Sequence, residues 1–266
     1  MSDTEKLKED ALWMRKRILE LALKAGSSGA HLGGSLSLVE ILVALYDVAH
    51  ISQEDDRDRI ILSKGHGALA LYTILEKKGV MTTAQVDSFE TNGTHLFAHA
   101  SRDTEHGIEF SGGSLGLGIS FAIGVAIACK AKGYNNHIYV IVGDGECNEG
   151  IFWEAMMAAH QYQLDNLTII IDNNDLQADG FTKDIMDLAP MANKLAAFGI
   201  KAIAVDGHDI VALKKAIITK EVGKPVAIIA QTIKGKGVSF MEKDATWHHG
   251  VLNQKKYDKA MEELAQ

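Results

Sequence analysis

The stretch His137-Ile-Tyr-Val-Ile-Val-Gly-Asp-Gly145, with the residues that follow it, decides the fold. The run 137–142 is mostly apolar and rich in β-branched side chains, which predicts a buried strand that ends at the glycines. A helical pattern over 149–162 leads to a second apolar run at 167–171, and Asp172-Asn-Asn174 follows. This order predicts a βαβ unit with parallel strands. The polar residues after each strand therefore lie at one edge of the sheet, where open α/β sheets bind ligands.

The residues at this edge suit a metal ion and a diphosphate. Asp144 offers a carboxylate oxygen, Asn174 an amide oxygen and Leu176 a backbone carbonyl. Three protein oxygens suit Mg²⁺, with Ca²⁺ as the alternative, when phosphate oxygens and a water complete the shell. Gly143 and Gly145 let the backbone approach a diphosphate, and the next helix directs its N-terminus there. A lone Gly-Asp-Gly is more often a turn, but an Asn-Asn pair after 27 further residues strengthens the metal-site interpretation.

This layout resembles the thiamine-diphosphate motif. Residues 143–150 read Gly-Asp-Gly-Glu-Cys-Asn-Glu-Gly, and residues 171–180 read Ile-Asp-Asn-Asn-Asp-Leu-Gln-Ala-Asp-Gly. Both segments are similar to the diphosphate-binding domain of transketolases. The resemblance implies thiamine diphosphate and Mg²⁺ as cofactors and places Glu146 among the cofactor-binding residues. It also matches Glu149 to a family glutamate that reaches toward a carboxylate of a partner.

A glycine-rich segment, Ser111-Gly-Gly-Ser-Leu-Gly-Leu-Gly118, opens a predicted helix. It lacks the Gly-Lys-Ser/Thr ending of a P-loop, and no strand with Gly-x-Gly-x-x-Gly precedes it, so nucleotide motifs do not fit. The segment resembles the transketolase sequence Thr-Gly-Pro/Ser-Leu-Gly-Gln-Gly. That resemblance implies that Gly113, Leu115 and Gly116 line the middle of the cofactor, with Leu117 in place of the usual glutamine.

Four histidines lie in segments that resemble transketolase motifs. His66 stands in Ser63-Lys-Gly-His-Gly67, which the family uses to contact cofactor and substrate, and a histidine between two glycines at a strand-to-helix turn is exposed on the ligand edge. His99 is the counterpart of a family histidine, with alanines on either side instead of glycine and proline.

The other two histidines have alternatives. His31 lies among small residues before a helix, which is also consistent with an ordinary turn carrying a surface histidine. The sequence Trp247-His-His-Gly250 resembles a family segment with one histidine, for which His249 fits best and His248 next. The resemblance implies that His31, His66, His99 and His249, together with Glu149, serve catalysis, and that His66 and His249 also contact the cofactor.

Composition excludes several classes of protein. The chain has 266 residues, 47% hydrophobic, and a net charge of −8, which argues against a nucleic-acid or anionic-membrane surface. Two cysteines give no disulfide framework or zinc spacing. We find no signal peptide and no apolar run of membrane length, so we expect a cytoplasmic protein without a membrane partner. With two prolines and no linker, we expect a single domain over 1–266.

The pattern of strands and helices predicts the fold class. Strands are expected at 60–62, 137–142, 167–171, 200–205 and 226–230. Helices are expected at 3–25, 38–48, 68–77, 119–130, 149–162, 190–198, 210–220 and 257–264. This alternation predicts an α/β fold, a doubly wound and mainly parallel sheet with helices on both faces.

The resemblance covers about the first half of a full-length transketolase. In that family, a second domain binds the aminopyrimidine ring and supplies the activating glutamate. The resemblance therefore implies the N-terminal subunit of a two-chain transketolase. Its C-terminal subunit would bring that domain, in an assembly with two copies of each chain (α2β2). The reaction would move a two-carbon ketol unit from a ketose phosphate to an aldose phosphate.

Other interpretations remain open from the sequence alone. The enzyme could be specialised for an unusual sugar phosphate, since residues that recognise the phosphate lie largely in the other half. The His31 loop is shared with deoxyxylulose-phosphate synthases, and a 2-oxo-acid dehydrogenase α subunit is also half of a thiamine enzyme. A non-catalytic cofactor-binding protein is the alternative from a different class.

Overall fold

A computed structural model describes residues 3–52 and 54–265. Its five strands form one sheet, in the order β1-β2-β3-β5-β4, and every neighbouring pair is parallel. The strands are β1 (Arg59–Leu62), β2 (Ile138–Gly143), β3 (Leu167–Asn173), β4 (Lys201–Asp206) and β5 (Val226–Gln231). All five strands predicted from the sequence are confirmed. Because the sheet is parallel, the carboxyl ends of all its strands lie at the same edge.

Eleven helices surround the sheet in the described ranges. They are α1 (Asp3–Lys24), α2 (Leu32–Leu36), α3 (Val39–Val48), α4 (Ala68–Lys77), α5 (Thr83–Val86), α6 (Leu117–Ala131), α7 (Gly150–Gln161), α8 (Thr182–Met186), α9 (Met191–Ala197), α10 (Ile210–Ile217) and α11 (Gln254–Glu263). The eight predicted helices are present, with ends shifted by up to three residues. The sequence did not reveal α2, α5 and α8, because helices of four or five residues are too short to show a period.

Strands β1, β2, β3 and β5 bury both of their faces, as the predicted fold class requires. Strand β4, at the edge of the sheet, stays partly exposed. Tyr139 and Ile141 of β2 belong to the hydrophobic cluster that contains α1, α3 and α4. The alternating residues Val140 and Val142 belong to a second cluster with α6, α7 and α9. Residues along a strand point alternately to opposite faces, so one strand contributes to both cores. The doubly wound α/β fold is therefore confirmed.

Among the described residues, no helix combines the length and the apolar character needed to span a bilayer.

Candidate functional site

A cavity of about 410 Å³ lies at the carboxyl edge of the sheet. Eleven of the residues singled out from the sequence line it. They are His66, His99, Gly113, Leu115, Gly143, Asp144, Gly145, Glu146, Glu149, Asn174 and Leu176. These residues come from segments that are far apart in the chain, and the shared edge of β1, β2 and β3 brings them together. His31 and His249 do not line this cavity and lie beside it.

Asp144 presents a buried carboxylate to the cavity. One oxygen accepts a hydrogen bond from the backbone N–H of Gly145 at 2.8 Å, and the other accepts from the Thr182 hydroxyl at 3.1 Å. Burial, and next the negative charge of Asp172, raise the pKa of Asp144 to about 6. A cation bound beside Asp144 would relieve both effects.

Asn174 is held in one orientation by Asp172. The Asn174 side-chain nitrogen Nδ2 donates to Asp172 Oδ2 at 3.1 Å. A carboxylate can only accept, so the NH₂ group of Asn174 must face Asp172 and the carbonyl oxygen Oδ1 must face away. That oxygen accepts from the Leu176 N–H at 3.2 Å. Asp172, which the sequence did not single out as a site residue, therefore fixes the oxygen that Asn174 offers to a ligand.

Asp172 is itself paired with Lys64, and both side chains are fully buried. Lys64 also donates to the Gly34 carbonyl at 3.0 Å, while the Ser37 hydroxyl donates to Asp172 at 2.7 Å. The Thr232 hydroxyl donates to the other carboxylate oxygen. Burial alone would raise the pKa of Asp172, but the charge of Lys64 and the hydrogen bonds from Lys64, Thr232 and Ser37 together outweigh it, and the pKa is lowered. The carboxylate is therefore ionised and acts as an acceptor for four different groups.

Lys234 reaches the same cavity from the turn after β5. Its ammonium donates to the carbonyls of Leu176 and Gln177, both at 3.0 Å, and lies 3.0 Å from Nδ1 of His248. Burial, and next the charge of Lys64, lower the pKa of Lys234 to about 8. The Leu176 carbonyl thus already faces a cation. Lys234 stands in Thr232-Ile-Lys-Gly-Lys-Gly-Val238, and nothing in that pattern distinguishes it from a surface lysine.

Glu146 joins the two glycine-rich segments that line the cavity, at 111–118 and 143–145. One carboxylate oxygen accepts from the Gly116 N–H at 2.9 Å and from the Ser63 hydroxyl, and the other accepts from the Gly143 N–H at 3.1 Å. Burial raises its pKa. The residue lines the cavity and also fixes the backbone around it. Direct binding of cofactor by Glu146 remains a prediction.

The loops after β1 and before α6 touch each other backbone to backbone. A methyl group added at Gly65 would lie 2.7 Å from the backbone nitrogen of Gly113. This contact leaves no room for a side chain, so Gly65 is required for close approach rather than for flexibility. It brings His66 and Gly113 to the same wall of the cavity.

Five histidine rings form a cluster at the mouth of the cavity. The ring centroid of His31 lies 4.7 Å from His249, 4.9 Å from His99, 5.5 Å from His248 and 6.0 Å from His66. His66 and His248 are 5.0 Å apart. The structure therefore brings together the four histidines selected from the sequence and adds His248.

Three histidines of the cluster are held neutral near pH 7. Burial, and next the charge of a neighbouring histidine, lower the pKa of His31 to about 3. Burial, and next the charge of Lys234, lower the pKa of His248 to about 4. Burial and the charge of Lys64 hold the pKa of His66 well below its usual value. Neutral imidazoles can both donate and accept hydrogen bonds, as binding a row of hydroxyl groups requires.

The His248–His249 pair divides between two positions. His248 lines the cavity beside Lys234, whereas His249 packs on His31 and close to Gly29. His31 precedes α2, and its buried Nδ1 atom has no hydrogen-bond partner among the described residues. An unpaired buried nitrogen next to an open cavity is suited to a ligand. The roles predicted for His31 and His249 are not tested by this arrangement.

Glu149 is exposed at the start of α7 and faces the cavity. This position leaves its carboxylate open to a group that approaches from outside the chain.

The donor set fits a hard cation and a diphosphate. Within residues 3–52 and 54–265, no three His, Cys, Asp or Glu side chains are arranged to hold a metal. The Asp144 carboxylate lines the cavity together with the neutral oxygens of Asn174 and Leu176, which are the candidate ligands. Such mixed oxygen sets are common for Mg²⁺ that also binds substrate phosphates. The fold and the site thus define an α/β protein with a polar cleft at the carboxyl edge of its parallel sheet, where open α/β sheets bind ligands.

Comparisons with known proteins extend this classification. The family model described as "Transketolase, thiamine diphosphate binding domain" matches residues 10–265. One subunit of the apulose-4-phosphate transketolase of Phocaeicola vulgatus is 40% identical over 95% of this chain and 91% of its own length. A subunit of the 6-deoxy-6-sulfo-D-fructose transketolase of a Clostridium species is 40% identical, over 97% of this chain and 96% of its own. The crystal structure of transketolase from Campylobacter jejuni superimposes with a TM-score of 0.91 at 28% identity, over 99% of this chain and 43% of that one.

The chain belongs to the transketolase family and contains its thiamine-diphosphate-binding domain. It spans less than half of the solved transketolase and nearly the whole of the two relatives that are named as single subunits. The resemblance drawn from the sequence motifs is therefore confirmed. So is the prediction that the chain is similar to one subunit of a two-chain transketolase.

Proposed function

We propose that this chain is the diphosphate-binding subunit of a two-chain, Mg²⁺-dependent transketolase. The observation that carries the proposal is the cavity itself, where Asp144, Asn174 and Leu176 present three oxygens beside the glycine segments. In this proposal those oxygens hold Mg²⁺, and the backbone of Gly143 and Gly145 lies against the diphosphate. When bound, thiamine diphosphate supplies the nucleophilic carbon that takes up the two-carbon unit.

The residues of the chain divide between binding the cofactor and binding the sugar. Gly113, Leu115 and His66 line the cavity wall and are assigned to the cofactor. Lys234 adds a positive charge next to the metal-binding carbonyl. This charge supports the binding of a diphosphate, whose several negative charges require more than one cation to balance them.

The histidine cluster is assigned to the sugar. His31 and His249 form its outer part, and His66, His99 and His248 line the cavity. Their rings hydrogen-bond the hydroxyl groups of a ketose and move protons at those oxygens. The proposed reaction transfers a two-carbon ketol unit from a ketose phosphate to an aldose phosphate. Two relatives of equal identity are named for different sugars, so the particular sugar is a property to be measured.

A second subunit is required by this proposal. Exposed apolar side chains border the cavity on and before α8: Phe181 is 43% exposed, Ile185 46% and Met186 58%. An exposed apolar group of this kind at the edge of a ligand site suits a protein partner. We assign this edge to a C-terminal transketolase subunit that covers the aminopyrimidine ring and brings its activating glutamate toward Glu149. The assembly would contain two copies of each chain, as the family resemblance implies.

The remaining predictions from the sequence are part of the same proposal. We treat the chain as one domain and place the enzyme in the cytoplasm, in keeping with its two free, buried cysteines. Among the alternatives, a transketolase specialised for an unusual sugar phosphate is favoured, because the two relatives named as single subunits both carry unusual sugars in their names.

Calorimetry on the Asp144→Ala variant tests the metal site. Thiamine diphosphate is titrated into the chain, with its second subunit present, in buffers with and without Mg²⁺. The variant should lose Mg²⁺-dependent binding, because it lacks the charged metal ligand, and Asn174→Ala should lose less. Asp55→Ala removes an equal charge from an exposed loop and is the matched control. Unchanged affinity in Asp144→Ala would remove the basis of the site assignment.

A further inference from the structure

The turn 233–236, which follows β5, carries Lys234 into the cofactor cavity. Lys234 is 2% exposed, and its ammonium is fully engaged by the carbonyls of Leu176 and Gln177 and by His248. The path of the turn sets the backbone position of Lys234, from which the side chain reaches these three partners. Gly235 adds one anchor, since its N–H donates to the Gly33 carbonyl at 3.0 Å.

Behind the turn lies a buried polar cluster that the proposed chemistry does not use. Arg15 of α1 donates to both oxygens of Glu40 of α3, at 2.6 and 2.7 Å. His208, in the loop after β4, lies with Nδ1 at 2.9 Å from the Glu40 carboxylate. Arg15 and Glu40 are 7% and 8% exposed. Burial alone would raise the pKa of Glu40, but the hydrogen bonds from His208 and Arg15 lower it to about 2.

The cluster holds both ends of the turn. The backbone N–H of Ile233, at the start, donates to Nε2 of His208 at 2.8 Å. The backbone carbonyl of Lys236, at the end, accepts from Nε of Arg15 at 3.0 Å. Glu40 connects the two side chains that make these contacts. One carboxylate on α3 thus links, through Arg15 and His208, the two ends of a turn that lies after the last strand.

These contacts require histidine in one tautomer. The Ile233 N–H can only donate, so Nε2 of His208 must be unprotonated and must accept. Nδ1 must then carry the hydrogen and donate to Glu40. A side chain at this position needs a donor at the Nδ1 position and an acceptor at the Nε2 position. The side-chain nitrogen of asparagine can take the Nδ1 position, but asparagine places no acceptor at the Nε2 position. Glutamine is longer and can place its oxygen at the Nε2 position.

The link through His208 is not needed to satisfy the Arg15–Glu40 pair. Arg15 already engages both oxygens of Glu40, so the pair is complete without the imidazole. What His208 adds is the contact to Ile233, one residue before Lys234. Its hydrogen bonds therefore have a consequence at the cavity that a simple buried ion pair would lack.

We propose that Arg15, Glu40 and His208 are positioning residues that fix the turn 233–236 and so hold Lys234 at the diphosphate side of the cavity. This inference rests on the proposed function, because it assigns the cavity to thiamine diphosphate. The cluster acts from outside the cavity and touches neither the metal ligands nor the histidines that face the substrate.

A matched pair of variants tests the proposal. His208→Asn keeps the donor to Glu40 and removes the acceptor for Ile233, whereas His208→Gln offers an acceptor to Ile233. Hydrogen–deuterium exchange of the peptide that covers 232–237 is measured on the chain without cofactor. Calorimetry then gives the affinity for thiamine diphosphate in the presence of Mg²⁺ and the second subunit. His95→Asn, a substitution in an exposed loop, is the control.

The asparagine variant should exchange faster in this peptide and bind the cofactor about tenfold more weakly, which is about 1.4 kcal/mol. The glutamine variant should restore both properties toward wild type. If the asparagine variant does not fold, Arg15→Lys tests the other end. Lysine keeps the charge, but all its N–H groups sit on one nitrogen, so it cannot pair with Glu40 as arginine does and also reach the Lys236 carbonyl. It should show the same two changes.

Faster exchange with unchanged affinity would overturn the proposal, because the cluster would then be structural only. The proposal would also be overturned if the asparagine and glutamine variants lost cofactor affinity equally and the loss followed the fall in their melting temperatures. Failure of the wild-type chain to bind thiamine diphosphate would instead refute the proposed function, while the exchange of residues 232–237 would still report whether His208 fixes the turn.

Discussion

Replacement of Asp172 by asparagine tests how the buried charge pair supports the site. In the structure the carboxylate accepts hydrogen bonds from Lys64, Ser37, Thr232 and Asn174. The substitution keeps the shape of the side chain but leaves the Lys64 ammonium fully buried without a counterion. Loss of one partner of a buried ion pair costs about 3–5 kcal/mol of unfolding free energy. For a chain of this size, this corresponds to a drop of roughly 6–20 °C in melting temperature.

A second effect of Asp172→Asn concerns the metal site. Asparagine can donate as well as accept, so it no longer forces the NH₂ group of Asn174 to face it. Asn174 can then turn its oxygen away from the cavity, and we expect weaker Mg²⁺-dependent binding of thiamine diphosphate than the loss of stability explains. Thermal unfolding gives the first effect, and calorimetry at a temperature where both proteins are folded gives the second.

A double-mutant cycle with Lys64→Met separates charge from shape. Lys64→Met alone leaves Asp172 as an unpaired buried anion and should be as destabilised as Asp172→Asn. The double variant has neither charge, so it should recover several kcal/mol relative to the sum of the single variants. Additive losses, or a melting temperature in Asp172→Asn that matches wild type, would refute the reasoning.

Three further predictions concern the histidines, a glycine contact and acid stability. His66→Ala and His99→Ala should each lower turnover by about 100-fold or more in a ketol-transfer assay with the second subunit, and they should bind cofactor with modest change. Gly65→Ala should lower both stability, by about 1–3 kcal/mol, and cofactor affinity, because its methyl group would displace the backbone of Gly113. Glu40→Gln should cost about 3 kcal/mol at pH 7, since the pKa of Glu40 is lowered to about 2 in the folded chain. That difference should stay constant above about pH 5 and shrink as the pH falls toward 2, because protonation of Glu40 removes the contribution from the wild type.

Each of these predictions has a control or an opposing result. Wild-type turnover in both histidine variants would show that His66 and His99 are ordinary loop residues without a role in catalysis. Gly124→Ala is the control for Gly65→Ala, because its methyl group meets nothing within 4 Å on the surface of α6. Equal behaviour of the two glycine variants would contradict the close-contact argument. A stability difference between Glu40→Gln and wild type that does not change from neutral to acid pH would show that ionisation of Glu40 is not its source.

The architecture of this chain was predictable because its strands are short apolar runs bounded by polar residues. The run 138–142 and the run 167–171 could only be buried on both faces, which requires a parallel sheet with helices on each side. Once the strands are parallel, Asp144 and Asn174 must share an edge. The sequence therefore predicted the edge of the sheet at which these two residues meet and at which the cavity lies.

The two buried lysines of the site were not predictable in the same way. Lys64 and Lys234 are nearly or completely buried. Lysine is rarely buried unless paired, so a lysine in a sequence is assigned to the surface by default. The partners of these two lysines are distant in the sequence: Asp172 lies 108 residues after Lys64, and Leu176 lies 58 residues before Lys234. Only the folded chain shows these pairs.

Two choices among histidines also needed the structure. His248 and His249 follow a short 3₁₀ turn at Ala245–Trp247, where neighbouring side chains point in different directions. No periodicity decides which of them faces the cavity. His208 could equally have been a surface residue, because its partner Glu40 is 168 positions away.

A ketol-transfer assay on the purified chain, by itself and mixed with its second subunit, tests the central claim most directly. The first candidate for that subunit is the product of the adjacent reading frame, and the donor and acceptor sugars are varied in turn with thiamine diphosphate and Mg²⁺ present. We predict no transfer by the chain alone and transfer by the mixture, with cofactor affinity rising at the same time. Ketol transfer by the chain alone at the rate of the mixture, with contaminating enzyme excluded, would contradict the assignment of this chain as one subunit of a two-chain transketolase.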